Sequence, residues 1–243
     1  NIIESEKKYA FIGKPCDVLS LNNYIKNVNP ELKKNVIITM SFFCAGVPSR
    51  QANLRLLKEL HSNESECDEL IYRGNGWPGY ATVINKNGMS DKMTYNDSWG
   101  HILGRDINYF CRFCMDGIGE FADISCGDAW YLTHDKQPDF SEHDGRNITF
   151  ARTEIGKKIL LDVEKTNRIV TEEYDLENLK YIQNYQYTRR SQIYSRILGL
   201  KLCGKMTPKY PIKNIRDFST KLTFKEKTKI TLGTIKRVMK GKM

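Results

Sequence analysis

The sequence lacks any run of apolar residues long enough to cross a membrane. A spanning helix needs roughly 20 consecutive apolar residues, and no stretch of the 243 residues approaches that length. The opening residues, NIIESEKKYAFIG, also lack the charged and then apolar layout of a secretory signal. These two absences predict a soluble, cytoplasmic protein. Because the first residue is Asn rather than Met, we also expect that upstream sequence is missing.

Support for a disulfide framework is equally scarce. The seven cysteines are odd in number and lie singly, apart from one close pair. At 40% hydrophobic residues, the chain is large enough to fold around a core without covalent cross-links. The cysteines therefore point to metal binding or redox chemistry rather than to a secreted scaffold.

Acidic residues are scarce in one part of the chain only. Residues 201–243 hold thirteen Lys or Arg and two acids, whereas the preceding residues are close to neutral. This distribution argues against a protein whose whole surface binds nucleic acid. A nucleic-acid-binding tail would also need aromatic side chains to stack on bases, and it offers only Tyr210, Phe218 and Phe224. Nucleic acid is therefore not an expected partner.

Two segments repeat the order strand, turn, helix. KYAFIGKPCDVLSLNNYIK predicts a short strand, a turn and a helix with Pro15 in its first turn. NVIITMSFFCAGVPSRQANLRLLKEL predicts a β-branched strand, a turn and a helix. The two units place Cys16 and Cys44 at strand ends, where the loops of α/β sheets gather their ligands.

The remaining patterns predict both strands and helices. DELIYRGNGWPGYATVINKNG indicates two strands around a glycine-rich turn, with a hairpin turn at Asn87–Gly88. NITFARTEIGKKILLDVEK indicates a strand, a turn and a helix, and the pattern is helical from about residue 176. The predicted fold is α/β, with mixed α+β as the alternative. It has a central sheet of strand, Cys loop and helix units and a helical C-terminal extension.

Four cysteines form a candidate metal set. Cys111 and Cys114 are separated by two residues, so both sulfurs can face one ion or cluster. Cys16 and Cys44 bring the set to four thiolates. Four thiolates suit zinc or a 4Fe-4S cluster, and their spacing does not decide between them.

The other cysteines and the histidines have simpler interpretations. Cys67 and Cys203 are interpreted as free thiols, and Cys126 as a small buried strand residue. His134 and His143 could complete a zinc site with the Cys-x-x-Cys pair, a less favoured alternative. A cysteine nucleophile at Cys44 or Cys126 is also less favoured, because no histidine lies in a motif that would supply its base.

Five motifs follow one another along the chain in the order found in one known family: FIGKPCDVLSL, FFCAGVPS, YRGNGWPG, CRFCMDGIGEFADISCGDAW and FARTEIGKKIL. Over roughly residues 8–165, the chain resembles the C-terminal domain of the coenzyme F-420 hydrogenase/dehydrogenase beta-subunit family. The resemblance implies an iron–sulfur flavoprotein with a 4Fe-4S cluster and FAD. It implies Cys16, Cys44, Cys111 and Cys114 as the cluster ligands. It also implies cofactor contacts from a second set: Arg73, Gly74, Asn75, Gly76, Trp77, Gly79, Asp123, Gly127, Asp128, Arg152 and Thr153.

The resemblance also implies an architecture and partners. We expect a catalytic domain at residues 1–170 and a basic helical extension at residues 171–243, with ferredoxin-like and small N-terminal domains upstream. The implied activity is a flavin-dependent reductase or dehydrogenase, and its electrons come from a donor protein or the upstream ferredoxin-like domain. The small-molecule substrate is a deazaflavin or, in the polysaccharide-biosynthesis branch that we favour from composition, a sugar intermediate. A zinc-stabilised binding module remains the rival interpretation.

The basic tail has two interpretations. Phe224, Ile230, Ile235 and Val238 among the lysines could form a helix lying on an anionic inner membrane leaflet. The other interpretation is a solvated, partly disordered basic end.

Overall fold

The computed structural model describes residues 6–241, so the expectation drawn from Asn1 lies outside the described residues. The chain forms two compact units that interleave along the sequence. The first unit contains the described residues up to Cys44, together with Asp116–Pro138 and Arg146–Ile182. The second contains Ala45–Met115, Asp139–Gly145 and the described residues from Gln183 onward. The boundary expected near residue 170 stays a prediction.

The strands and α-helices follow the predicted order. The strands are β1 (Tyr9–Gly13), β2 (Val36–Phe42), β3 (Cys67–Gly74), β4 (Tyr80–Asn85), β5 (Ser90–Thr94), β6 (Ile124–Asp128) and β7 (Asn147–Ala151). The α-helices are α1 (Pro15–Asn27), α2 (Arg50–Glu59), α3 (Glu154–Lys165), α4 (Leu179–Ile182), α5 (Asn184–Leu202), α6 (Ile212–Ser219) and α7 (Phe224–Met239). The α/β prediction with a helical C-terminal part is confirmed.

The first unit is built on a four-stranded sheet in the order β1-β2-β6-β7. The first three strands are parallel, and β7 is antiparallel to β6. In this register Gly13 lies opposite Ser41, and Phe42 lies opposite Cys126. The carboxyl ends of three strands therefore meet at one edge of the sheet, where the loops after β1 and β2 begin.

The sequence sets where the first helix starts. Lys14 is extended, Pro15 occupies the first turn, and the Asp17 carboxylate accepts the Lys14 N–H at 3.0 Å. Proline suits this position because the first helical N–H groups have no partner inside the helix. Ile25 of α1 packs with Leu32 and Val36 in the core of this unit.

The second unit contains the antiparallel sheet β3-β4-β5. The hairpin turn predicted at Asn87–Gly88 joins β4 to β5, and Gly88 has the positive φ of 82° that such a turn requires. Helix α2 packs Leu56 and Leu57 against Val83 of this sheet. A second apolar cluster forms around Phe113, which is fully buried, and draws on α5 and α6.

Helix α7 is an ordered part of the second unit. Its Thr231 hydroxyl donates to the Ser195 carbonyl of α5 at 3.2 Å, and Thr234 is fully buried. The two helices approach closely at Gly199, where a Cβ would lie 2.8 Å from the Thr231 carbonyl oxygen. The alternative of a partly disordered basic end is therefore wrong for Phe224–Met239. Within residues 6–241, every helix is too short or too polar to cross a membrane.

Candidate functional site

Cys16 and Cys44 lie at the sheet edge of the first unit. Cys16 is exposed in the first turn of α1, and Cys44 follows β2 by two residues and donates its N–H to the Gly117 carbonyl at 2.8 Å. Although the residue as a whole is exposed, partial burial of its thiol is the main cause that raises the pKa of Cys16. The nearby Asp17 carboxylate and Cys44 raise this pKa further. Without a metal ion, Cys16 therefore favours its protonated form at neutral pH.

The other two candidate ligands lie together in the second unit. Cys111 belongs to a short 3₁₀ helix, Tyr109–Phe113, and Cys114 directly follows it. The helix begins where the Asn108 side chain accepts the Phe110 N–H at 3.1 Å. Cys114 donates its N–H to the Cys111 carbonyl at 3.3 Å. The two cysteines therefore lie close together in the chain within one compact turn, and their joint binding of an ion or cluster stays a prediction.

A backbone N–H is directed at one of these sulfurs. Val47 donates to the Cys111 Sγ at 3.4 Å. The approach depends on Gly46, whose φ is +128° and where a Cβ would lie 2.9 Å from the Ile107 side chain. A hydrogen bond to sulfur of this kind is one that commonly orients a metal ligand.

Three donors from the C-terminal helical region hold the Cys-x-x-Cys loop. Arg189 of α5 donates to the carbonyls of Ala45 and Cys111 at 2.8 and 3.4 Å. Arg196 donates to the Arg112 carbonyl at 2.8 Å, and Tyr210 donates to the Phe113 carbonyl at 2.7 Å. We name Arg189, Arg196 and Tyr210 the loop clamp. They bind three consecutive carbonyls, so the clamp fixes the loop backbone from Cys111 to Phe113.

The chemistry of the clamp suits permanent donation. Arg189 is 3% exposed and also bonds Gln186, and a guanidinium has only hydrogen-bond donors to offer. Burial, and secondarily the neighbouring Cys114, raise the pKa of Tyr210 to about 12. The Tyr210 hydroxyl therefore keeps its proton. None of these three residues was predicted from the sequence to belong to the site.

The cysteine set divides equally between the units. Cys16 and Cys44 belong to the first unit, and Cys111 and Cys114 belong to the second. Among residues 6–241, no group of three or more His, Cys, Asp or Glu side chains is arranged to hold a metal ion. Each unit by itself presents two thiols, and in the second unit the Cys111 sulfur receives an N–H, so the donor chemistry of the four cysteines is that of thiolate ligands.

The histidines have other surroundings. The His134 side chain is fully exposed, and His143 lies 3.0 Å from the Asp139 carboxylate through its Nε2. The zinc alternative that used these two histidines gains no support from these positions.

The RGNGWPG segment forms a sharply turned loop between β3 and β4. Arg73 donates to the Pro78 carbonyl at 2.8 Å, and its guanidinium lies over the rings of Trp77 and Tyr95 at 5.9 and 5.4 Å. The loop brings cationic and aromatic groups together, as a site for a planar ring system would. Gly74 ends β3, and Asn75, with a φ of 56°, begins the turn.

The glycines of this loop also have local reasons to be glycine. A Cβ at Gly76 would meet the Glu142 carboxylate at 2.5 Å, and one at Gly79 would meet the Gly74 carbonyl at 2.4 Å. Glu142 also accepts the N–H of Trp77. This N–H and the space at Gly76 are therefore taken by a carboxylate, which is an unfavourable neighbour for a phosphate. Of the predicted contacts in the loop, the aromatic and arginine side chains suit a flavin ring best.

The predicted residues of the first unit bind one another. The Asp123 carboxylate accepts the N–H and hydroxyl of Thr39 at 2.7 and 2.8 Å and the hydroxyl of Thr153 at 2.7 Å. Thr153 also caps α3. Arg152 donates to the Ser125 hydroxyl and the Ile118 carbonyl. These three residues join β2, the amino-terminal end of β6 and α3, so their observed role is to hold these elements together at the end of β6 opposite to Asp128.

The last two predicted residues end β6. A Cβ at Gly127 would lie 2.2 Å from the Phe43 ring, so glycine lets this ring pack against the strand. Asp128 is half-buried and lies opposite Asn147 of β7. Cys126 is a strand residue as predicted, but it is half-buried rather than buried.

Asp123 gives a first testable prediction. Burial alone would raise its pKa, but the donors from Thr39 and Thr153 outweigh burial and leave the pKa below its ordinary value. A carboxyl group with a lowered folded pKa stabilises the protein above its unfolded pKa, and this stability is lost as pH falls through the folded pKa. We expect Asp123→Asn to lower the free energy of unfolding by about 2 kcal/mol at pH 7. The difference from wild type should shrink toward pH 3 in urea titrations.

Asp135→Asn is the matched control, since the Asp135 side chain is 91% exposed. It should leave the free energy of unfolding unchanged at both pH values. An Asp123→Asn variant as stable as wild type at pH 7 would contradict the assigned role.

Comparison with known proteins supplies the context of this site. The family model for the C terminus of the beta subunit of coenzyme F420 hydrogenase/dehydrogenase matches residues 6–177. The search among curated proteins finds no match. One solved structure of similar fold comes from a xenon derivatisation of the F420-reducing NiFe hydrogenase complex from Methanosarcina barkeri. It has a TM-score of 0.51 and 16% identity, and the match covers 79% of this chain and 62% of that chain. At this identity the likeness shows the fold alone, and this chain spans about three fifths of its neighbour.

Proposed function

Because the chain belongs to the coenzyme F420 hydrogenase/dehydrogenase beta-subunit family, we propose that it is an iron–sulfur flavoprotein oxidoreductase. The observation that carries the proposal is the Cys-x-x-Cys loop. Its three successive carbonyls are bound by the loop clamp, and one of its sulfurs receives an N–H. A free pair of surface thiols has no need of such support, whereas metal ligands are commonly oriented by a surrounding shell of hydrogen bonds.

Cys16, Cys44, Cys111 and Cys114 would hold a 4Fe-4S cluster in this proposal. When bound, the cluster supplies single-electron transfer and FAD supplies two-electron transfer. The chain's own residues have supporting roles. Val47 donates its N–H to the Cys111 sulfur, the loop clamp fixes the loop, and the fully buried Phe113 keeps water from the loop's inner side. Arg73, Trp77 and Tyr95 offer the aromatic and cationic faces on which a flavin ring would lie.

The remaining elements of the proposal concern substrate and partners. The substrate is an organic molecule that exchanges electrons with the flavin, either a deazaflavin coenzyme or a sugar intermediate of polysaccharide biosynthesis. An electron-donor protein or an upstream ferredoxin-like domain supplies the cluster with electrons. Assembly with a redox partner protein is supported by the structural neighbour from Methanosarcina barkeri, which belongs to a hydrogenase complex.

The test is a purification under anaerobic conditions, followed by a visible spectrum and by iron, sulfide, zinc and flavin assays on one sample. We expect about four irons per chain, a broad absorbance that bleaches with dithionite, and releasable FAD. A colourless protein with one zinc per chain would replace this proposal with a zinc-stabilised binding module that uses the same cysteines.

A further inference from the structure

A basic cavity lies within the second unit, between α5, α7 and the segment that precedes Cys111. Its volume is about 640 Å³, within the roughly 300–1,000 Å³ typical of small-molecule sites. Its charged lining consists of five cations and one carboxylate: Arg105, Arg112, Arg196, Lys229, Arg237 and Glu226. We name it the arginine cavity. Most of its lining comes from residues beyond the family match at 6–177.

Most of these cations lack a carboxylate partner. Arg112 forms an ion pair with Asp106 at 3.6 Å. Within residues 6–241, the other four cations form no salt bridge, and Arg196 donates instead to the neutral Gln192 side chain and the Arg112 carbonyl. The one carboxylate of the lining is Glu226. It accepts the N–H and hydroxyl of Thr223, the N-cap of α7, at 2.7 and 2.8 Å in a capping box. The cavity therefore carries a concentrated positive charge.

The positive charge has an energetic consequence. Burial lowers the pKa of Arg196, and the neighbouring Arg237 and Arg112 lower it further. Burial, followed by Arg112, also lowers the pKa of Arg237. A lowered pKa means that the charged form is held at a cost, and an anion bound among these guanidinium groups would remove that cost. The charges are therefore arranged as an anion would require.

The shape of the anion follows from the donors. Guanidinium groups match phosphate oxygens through paired N–H donors, and several neighbouring cations match several neighbouring phosphate charges. Tyr185, Leu222 and Ile230 add an aromatic and an apolar surface for an attached organic group. We propose that the arginine cavity binds a phosphorylated small molecule through a diphosphate group. That group belongs either to a dinucleotide cofactor or to a nucleotide-linked substrate.

The cavity is linked to the Cys-x-x-Cys loop through shared residues. Arg112 lies between Cys111 and Cys114, and Arg196 serves both the cavity lining and the loop clamp. A ligand in the cavity would therefore lie beside the loop. Binding of diphosphate requires neither cluster nor bound flavin and is tested independently of the proposed redox function, whereas assignment to a dinucleotide cofactor rests on that function.

The test is calorimetric titration of the whole chain with inorganic diphosphate at physiological ionic strength, where diffuse surface attraction is screened. We expect saturable binding with one site per chain. Arg237→Gln removes a cavity cation outside the loop clamp and should weaken binding by about tenfold or more. Arg105→Gln tests the same point at an exposed lining residue that is easily replaced without loss of folding.

Lys236→Gln is the matched control, because Lys236 is exposed on the same helix and does not line the cavity. It should change the affinity less than about twofold. Absence of diphosphate binding to the folded wild-type chain would overturn the proposal. An equal loss of affinity in Lys236→Gln and Arg237→Gln would overturn it too, since the attraction would then be a property of the whole basic surface.

Competition distinguishes the two sources of the diphosphate. Displacement of inorganic diphosphate by FAD but not by UDP-glucose would assign the cavity to a dinucleotide cofactor, and the opposite result would assign it to a nucleotide-linked substrate. Riboflavin has the flavin ring without phosphate and should not compete. Displacement by riboflavin as strong as that by FAD would contradict recognition through phosphate.

Discussion

Replacing Cys111 with serine is expected to remove nearly all of the iron from the anaerobically purified protein. The hydroxyl of serine is a far weaker ligand for iron than a thiolate, and a cluster with one ligand missing is easily lost. Iron should fall from about four per chain to less than about one, with the visible absorbance lost in parallel. Iron and sulfide assays, together with the spectrum, measure the effect.

The control for this change is Cys203→Ser. Cys203 follows the last residue of α5, is half-buried and is not one of the predicted ligands. It should retain full iron content. Retention of four irons by Cys111→Ser would exclude Cys111 as a ligand, and equal iron loss in Cys203→Ser would indicate a general failure of folding. Urea unfolding of both variants separates these cases.

Local sequence signals were sufficient for most of the secondary structure. Pro15 marked the first turn of α1, and Asn87–Gly88 marked the β4–β5 turn, because both signals act through backbone conformation close in sequence. The helical C-terminal region was also predicted. The buried face of α7 was not predicted, because the close packing of Thr231 and Thr234 depends on Gly199 in another helix.

In the candidate site, too, features set by neighbouring residues were predicted and contacts between distant residues were not. The Cys-x-x-Cys spacing marked Cys111 and Cys114 as a pair that can face one ion or cluster, and the two residues lie in and directly after one 3₁₀ turn. The loop clamp was missed, since its donors lie 78 to 97 residues from the carbonyls of this turn. One signal was present: Ile193, Ile197 and Leu200 form an apolar stripe at helical spacing, and extending it back by four residues reaches Arg189. An arginine in register with a buried stripe predicts a buried donor.

Arg189→Met should therefore produce a large loss of stability and weaken retention of the metal centre. Arg189 is 3% exposed, and methionine would leave the carbonyls of Ala45 and Cys111 without this donor. A hydrogen bond made by a charged group contributes about 1.5–3 kcal/mol, so losing both bonds should lower the free energy of unfolding by about 3 kcal/mol. Urea titration measures this, and the rate of iron loss to a chelator reports on the loop itself.

Two further variants separate the clamp from a general effect of charge. Lys201→Met removes a cation from the exposed face of α5 and should change neither stability nor iron loss. Arg189→Lys keeps the charge but loses the planar fork that reaches two carbonyls at once, so it should restore only part of the stability. If iron is lost from Arg189→Met no faster than from wild type while the protein is destabilised, Arg189 supports the core of the second unit and not the cysteine loop. Faster iron loss at a urea concentration where the variant remains folded would instead assign to Arg189 the role of holding Cys111 in position.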